Sequence, residues 1–304
     1  MTKTNSPSLS FKPLLFLLRD TASAWNNDHA SRLAAALSYY TIFSIAPLLI
    51  IAIAISALVF GQEAASNEIF EQIRGLVGDK GAQAIQAMVE GANKQDSGIL
   101  ATVVGLAALL IGASGAFSQL QDSLNTIWNV KAKPGFGIKG MIWTRFLSFS
   151  MVLVIAFILL VSLVITAAMA ALGHYLGALL PVPSFIMQTA TFMIAFATTA
   201  VLFTVIFKVL PDVHIQWKDV WIGGVVTSLL FSIGHLLIGL YLGHGSVGPT
   251  YGAAGSLIII LVWIYYSSQI MLFGAEFTQV YANRFGSRLE AKQQPNSSKQ
   301  LVPR

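Results

Sequence analysis

The sequence has 304 residues, of which 55% are hydrophobic and only 10% charged, with a mean hydropathy of +0.71. Soluble domains carry about 25% charged residues, so this composition excludes an ordinary soluble enzyme or binding module and points to a membrane protein with several spans. The net charge of +5 sits in short connectors where topology calls for it, which removes the main argument for a nucleic-acid partner, and the lack of cysteine excludes disulfides and thiolate chemistry.

Along the chain, residues 1–10 are polar. Residues 11–27 place Phe11, Leu14, Leu15, Leu18 and Trp25 at near-helical spacing beside Lys12 and Arg19. This predicts an amphipathic helix, either lying on the inner leaflet or packed on the cytoplasmic face of a bundle. Six apolar stretches follow, at about 33–60, 98–118, 146–172, 184–208, 218–243 and 250–282. Each is long enough to cross a hydrocarbon core of roughly 30 Å, which takes about 20 helical residues.

The first stretch opens with Arg32, Ser38, Tyr39, Tyr40, Thr41 and Ser44, and Pro47 follows. After it, residues 62–97 are the one sizeable polar segment. Ile69, Phe70, Ile73 and Leu76 form one apolar stripe, and Ile85, Met88 and Val89 form another, with Gly78-Asp79 between them as a stop followed by a cap. A helical hairpin on the outer side is expected there. The second stretch repeats Gly98, Gly105 and Gly112, and Gln119, Asp122, Asn125 and Trp128 come just past it. Gly239 and Gly243 in the fifth, and Gly248 and Gly252 before the sixth, have the same small-residue character, which lets helix backbones approach where lipid gives no hydrophobic drive. Pro181, Pro183 and Pro211 punctuate the connectors. Leu301-Val-Pro-Arg304 reads as the remnant of a cleaved tag.

Lysine and arginine fix the orientation. Arg74, Lys80 and Lys94 fall on one side, and the other fifteen fall in the alternate connectors and the two ends. This is the positive-inside pattern for six spans with both termini cytoplasmic. The expected organisation is a cytoplasmic arm with an interfacial amphipathic helix over 1–30, a six-helix membrane domain over 31–285, and a cytoplasmic tail over 286–304.

The inventory for chemistry is short. The five histidines have no metal-ligand spacing, and no phosphate-binding loop or nucleophile elbow is present. No cofactor or metal is expected, and no enzyme. His235, inside the fifth stretch, suits either a hydrogen bond to a neighbouring helix or a proton path. The sharper signal is that three polar sets converge on one leaflet: Arg32 with Tyr39 and Tyr40, Asp122 with Asn125, and Gln269 with Glu276. Glu276 precedes Arg284 by eight residues, about 12 Å of helix. An acid at that depth needs a partner or hydration, and Arg32 or Arg145 are the basic residues with the reach.

Three segments resemble the YihY/BrkB family of bacterial inner-membrane proteins. They are Leu33-Ala-Ala-Ala-Leu-Ser-Tyr-Tyr-Thr-Ile-Phe-Ser-Ile-Ala-Pro47, Leu124-Asn-Thr-Ile-Trp128, and Tyr251-Gly-Ala-Ala-Gly-Ser256 continuing through Trp263–Tyr266 to Phe273-Gly-Ala-Glu-Phe277. The resemblance covers roughly residues 15–285. It implies a six-helix inner-membrane protein linked to serum resistance, hence virulence, and to envelope lipid handling. It also brings an older label of tRNA-processing ribonuclease, for which these residues offer neither an aqueous metal cluster nor an aromatic and basic surface.

The expectation is therefore an all-α polytopic bundle of six transmembrane helices. It would transport or flip a solute or lipid, without nucleotide hydrolysis, through a polar cavity open toward the cytoplasm and lined by Arg32, Tyr39, Tyr40, Asp122, Asn125, Gln269 and Glu276. Its partners would be membrane lipids and a lipid or small-molecule substrate, with homo-oligomers possible. The alternative is a non-transporting scaffold whose outer hairpin binds an envelope partner.

Overall fold

A computed structural model describes residues 11–93, 115–130, 184–244 and 255–286. Every regular element among them is α-helical: α1 (Phe11–Asn27), α2 (Ala30–Phe60), α3 (Gln62–Asn93), α4 (115–127), α5 (Ser184–Val209), α6 (Trp217–His244) and α7 (Gly255–Arg284). Helices α2, α5, α6 and α7 coincide closely with four of the six apolar stretches. The stretch at 146–172 and most of that at 98–118 lie outside the described residues.

Among the described residues, three segments are long and apolar enough to cross a membrane: Gln188–Val209, Trp217–Ile238 and Leu257–Arg284. Helix α2 makes a fourth if its two halves, Ala30–Ala46 and Leu48–Leu58, count as one span bent by 45°. The bend falls between these halves, at Pro47, a residue that has no N–H for the helical ladder. Only 28–39% of the three unbent spans is buried. The remainder is apolar surface, including Trp221, Val225, Leu229, Ile233, Leu236 and Leu240 along one side of α6. Side chains of that kind, at that spacing, suit a lipid face.

Among the described residues two apolar cores hold the helices together. The larger gathers Ala30 and Ala34 of α2, Leu124 and Ile127 of α4, Phe203 and Phe207 of α5, Val220 of α6, and Leu272, Ala275 and Ala282 of α7. The smaller joins Val77, Ala82 and Ile85 of α3 to Ile260 and Ile264 of α7, with Ile42, Ile45 and Leu49 of α2 beside them. An apolar cavity of about 140 Å³ lies within it, lined by Ile45, Leu49, Ile73, Val77, Ile85, Ile260, Trp263 and Ile264. Helix α3 leaves helical geometry at Gly78, with φ 76° and ψ 173°, where the sequence places its stop signal. A positive φ of this kind is open to glycine and strained for other residues. His235 of α6 reaches the Gly75 carbonyl at 3.2 Å, so this histidine ties α3 to the bundle.

Helices α6 and α7 meet through a reciprocal pair of notches. A Cβ placed on Gly223 would lie 2.8 Å from Thr278 Cβ, and one placed on Gly274 would lie 2.7 Å from Thr227 Cβ. Both threonine hydroxyls donate back to the glycine four residues earlier in their own helix, Thr227 to Gly223 O and Thr278 to Gly274 O, each at 2.6 Å. Each helix thus contributes one glycine and one inward threonine. On the other flank of α6, a Cβ on Gly224 would lie 2.8 Å from Ala200 O of α5, and Ser228 donates to Phe196 O at 3.0 Å. Gly105, Gly112, Gly248 and Gly252, expected to provide close approach, lie outside the described residues.

Candidate functional site

At one end of the bundle α1 runs antiparallel to α7. Arg284 pairs with Asp20, and eight residues further along α1 the carboxyl of Asp28 faces Glu276, itself eight residues before Arg284. The equal offsets keep the two chains in step at 1.5 Å per residue. His29, left-handed at φ 52° and ψ 42°, turns the chain from α1 into α2 and leaves Asp28 over α7. Leu17 and Thr21 of α1 are buried, while Leu15, Phe16 and Leu18 stay exposed. This helix therefore has a packed face and an exposed face that keeps three large apolar side chains.

Glu276 is fully buried, and no donor reaches either carboxyl oxygen among the described residues. What faces it is another acceptor, Asp28. Burial pushes the Asp28 carboxyl above the usual carboxylate range, and interactions with Glu276 and His29 draw it partly back. Two turns along α7, on nearly the same face, Gln269 buries an amide oxygen that also has no partner among the described residues. Trp25 and Trp128 pack on or in the core that contains Ala275, and each buries an indole N–H that finds no acceptor among the described residues. Buried polar atoms are normally paired, at a cost of about 1–3 kcal/mol when they are not, so this concentration marks the region as unusual.

The other expected lining residues divide. Arg32, in the first turn of α2, is exposed and makes no ion pair among the described residues, so the expected Arg32–Glu276 pairing is replaced by Asp28. Arg145 lies outside the described residues. Tyr39 and Tyr40 are exposed, packed edge-on to each other at 5.6 Å, with Tyr39 against Phe43 at 5.0 Å and Tyr40 closing on Gly115 of α4. Asn125 is buried in a reciprocal clasp with the turn after α5: its amide donates to Asp212 Oδ2 at 3.1 Å and its oxygen accepts from Asp212 N at 2.8 Å. Gln121 adds a weaker contact at 3.4 Å. Asn125 therefore docks α4 on α5, and Asp122 stands beside Asp212. Of the expected set, Gln269 and Glu276 share one place and Asp122 and Asn125 another, and the partner in each, Asp28 and Asp212, is not among the residues expected from sequence. Asp28 was signalled by the polar run Asn26-Asn27-Asp28-His29 directly before a span, and Asp212 by a Pro-Asp pair in a connector otherwise marked by Lys208 and Lys218.

Asp122 is itself exposed on α4, and its carboxyl is raised above its usual range first by partial desolvation and then by the negative charge of Asp212. A carboxyl raised on folding contributes stability that is present below its unfolded pKa and lost as pH rises through its folded value. Asp122→Asn removes that titration. Thermal unfolding of the purified protein in detergent should match the parent at acid pH and exceed it at neutral pH; curves that coincide throughout would show that the Asp122 carboxyl is not raised on folding.

The family described as "Virulence factor BrkB" matches residues 21–299. Curated relatives described as "UPF0761 membrane protein" include those of Verminephrobacter eiseniae, 27% identical over 83% of this chain and 58% of its own, and Alkalilimnicola ehrlichii, 28% identical over 86% and 57%. That of Halorhodospira halophila is 30% identical over 83% of this chain and 54% of its own. The chain thus spans less than two thirds of the length of these relatives. No solved structure matches it.

Proposed function

Because this chain belongs to the BrkB virulence-factor family and is a membrane protein, as its relatives are described to be, we propose that it moves a solute or an envelope lipid across the bacterial inner membrane. It does so as a non-enzymatic device, without nucleotide hydrolysis, along a polar path among its helices. The six spans and cytoplasmic termini of this reading rest on the lysine and arginine distribution. The observation that carries it is the face of α7 on which Gln269 and Glu276 bury oxygens with no partner among the described residues, inside a segment long enough to span a membrane. Ionisable groups at such depth are costly, and when retained they commonly mark a pathway. The scaffold reading has one observation of its own, the exposed charges Glu63, Glu68, Glu71, Arg74, Asp79 and Glu90 along α3, which suit a polar partner.

The test is reconstitution into vesicles of phosphatidylethanolamine and phosphatidylglycerol. A tail-labelled fluorescent lipid reports flipping by its accessibility to external dithionite, and an entrapped small fluorophore reports solute efflux. At least one process should run faster than in protein-free vesicles, and Gln269→Leu and Glu276→Leu should slow it. If neither accelerates with the folded protein, transport is wrong and the scaffold reading stands.

A further inference from the structure

We propose that Asp28 and Glu276 share a single proton and so form a proton-binding site at the α1 end of the bundle. The inference deepens the transport reading by naming its coupling ion, and rests on that reading only for what the proton does, not for whether it binds.

The geometry sets the problem. Glu276 is fully buried, no donor reaches it among the described residues, and the group that faces it is a second carboxyl. Two ionised carboxylates are acceptors only, so they repel and cannot hydrogen-bond. One proton changes this: the protonated oxygen becomes a donor to the other carboxylate, giving a short, charge-assisted O–H···O⁻ bond and removing one of two buried charges.

The neighbouring elements offer no other solution among the described residues. On α1, Asp20 is bound to Arg284. In the turn, His29 acts on Asp28. On α2, Arg32 is exposed and unpaired. On α6, Asp219 is buried against Gly286, beyond the end of α7. No cation pairs with Glu276, and no cluster of three or more metal-ligating side chains occurs among the described residues, so two carboxyls alone are short of the donors a divalent ion requires. A proton needs only the two oxygens. The site also lies where it can exchange with water, since Asp28 is only partly buried at the mouth of the bundle while Glu276 lies within it.

The test is infrared difference spectroscopy of the full chain, purified in detergent and titrated across pH, reading the carbonyl stretch of a protonated carboxyl. The parent should keep this band at neutral pH. Glu276→Gln should lose it. Asp28→Asn should lower the pH at which it is lost by roughly one unit or more, because the facing charge is gone. Glu90→Gln, on the exposed side of α3, should leave it intact. Absence of the band in the parent at neutral pH overturns the proposal, as does its survival unchanged in both variants. So does its removal by sodium chloride but not by choline chloride at equal ionic strength, which would make the site a sodium site. Should Glu276→Gln fail to fold, Asp28→Asn decides alone. A normal titration in a protein that transports nothing would retire the transport reading and keep the proton site; transport without the band would do the reverse.

Discussion

Gly274→Leu is expected to separate α6 from α7 and to cause one of the two largest losses of stability. The notch at Gly274 receives the Thr227 side chain, and even a Cβ there would stand 2.7 Å from Thr227 Cβ. Thr227 cannot move aside freely, because its hydroxyl is bound to Gly223 O and a β-branched side chain has few rotamers in a helix. Adding a methyl group to a filled core costs about 1–3 kcal/mol, and a leucine costs more. Gly223→Leu should act alike through Thr278, and the double substitution should cost less than the two losses added, since one separation relieves both clashes. Gly75→Ala is the contrasting control: nothing lies within 4 Å of its added methyl, so helix propensity should leave stability unchanged or raise it by up to about 1 kcal/mol. Thermal unfolding in detergent measures all four. A Gly274→Leu protein that melts with the parent would mean that the two helices do not meet at this notch.

The second large effect is expected at the clasp between α4 and the turn after α5. Asn125→Leu removes the acceptor for Asp212 N–H and a donor to Asp212 Oδ2 together. Leaving a buried polar group unpaired costs about 1–3 kcal/mol, and both are lost at once. Asp212→Ala should cost less, because Asn125 then loses one partner but keeps the backbone N–H. The double variant should be more stable than the two single losses would suggest, which a thermal double-mutant cycle reads as a coupling energy. Strictly additive losses would show that Asn125 acts through other contacts.

Much of the architecture was legible because lipid imposes a harsh rule on sequence. The apolar stretches at 184–208 and 218–243 return as Ser184–Val209 and Trp217–His244 with hardly a residue to spare, since a span must remain apolar for its whole length. The stop at Gly78 was legible because only glycine takes that backbone angle without strain. The notches were not. Gly223 and Gly274 stand in different helices, each four residues before a threonine, and the pattern gains meaning only when the two helices are laid against each other. Glu276 stood out by its depth, but its neighbour did not. Opposite charge favoured Arg32, whereas the path of the chain brings Asp28, because α1 returns along α7. A pairing of two acids runs against pairwise expectation, and Asn125 could not be recognised as a clasp until the Pro211-Asp212 turn was in place beside it.

The position of α7 has a consequence for how the molecule is made. It packs on α1, α2, α3 and α6, and so belongs to both apolar cores. It is also the last of the described helices to leave the ribosome. At about 5–20 residues per second, Asp28 waits roughly 10–50 s for Glu276 to be synthesised. During that interval α2 and α3 can pack on each other but not on their common partner, and the inner faces of the earlier helices remain open to lipid, chaperone or protease. The element that joins the two cores thus arrives last among the described helices, and a chain terminated before Gly255 would lack the helix on which both cores close.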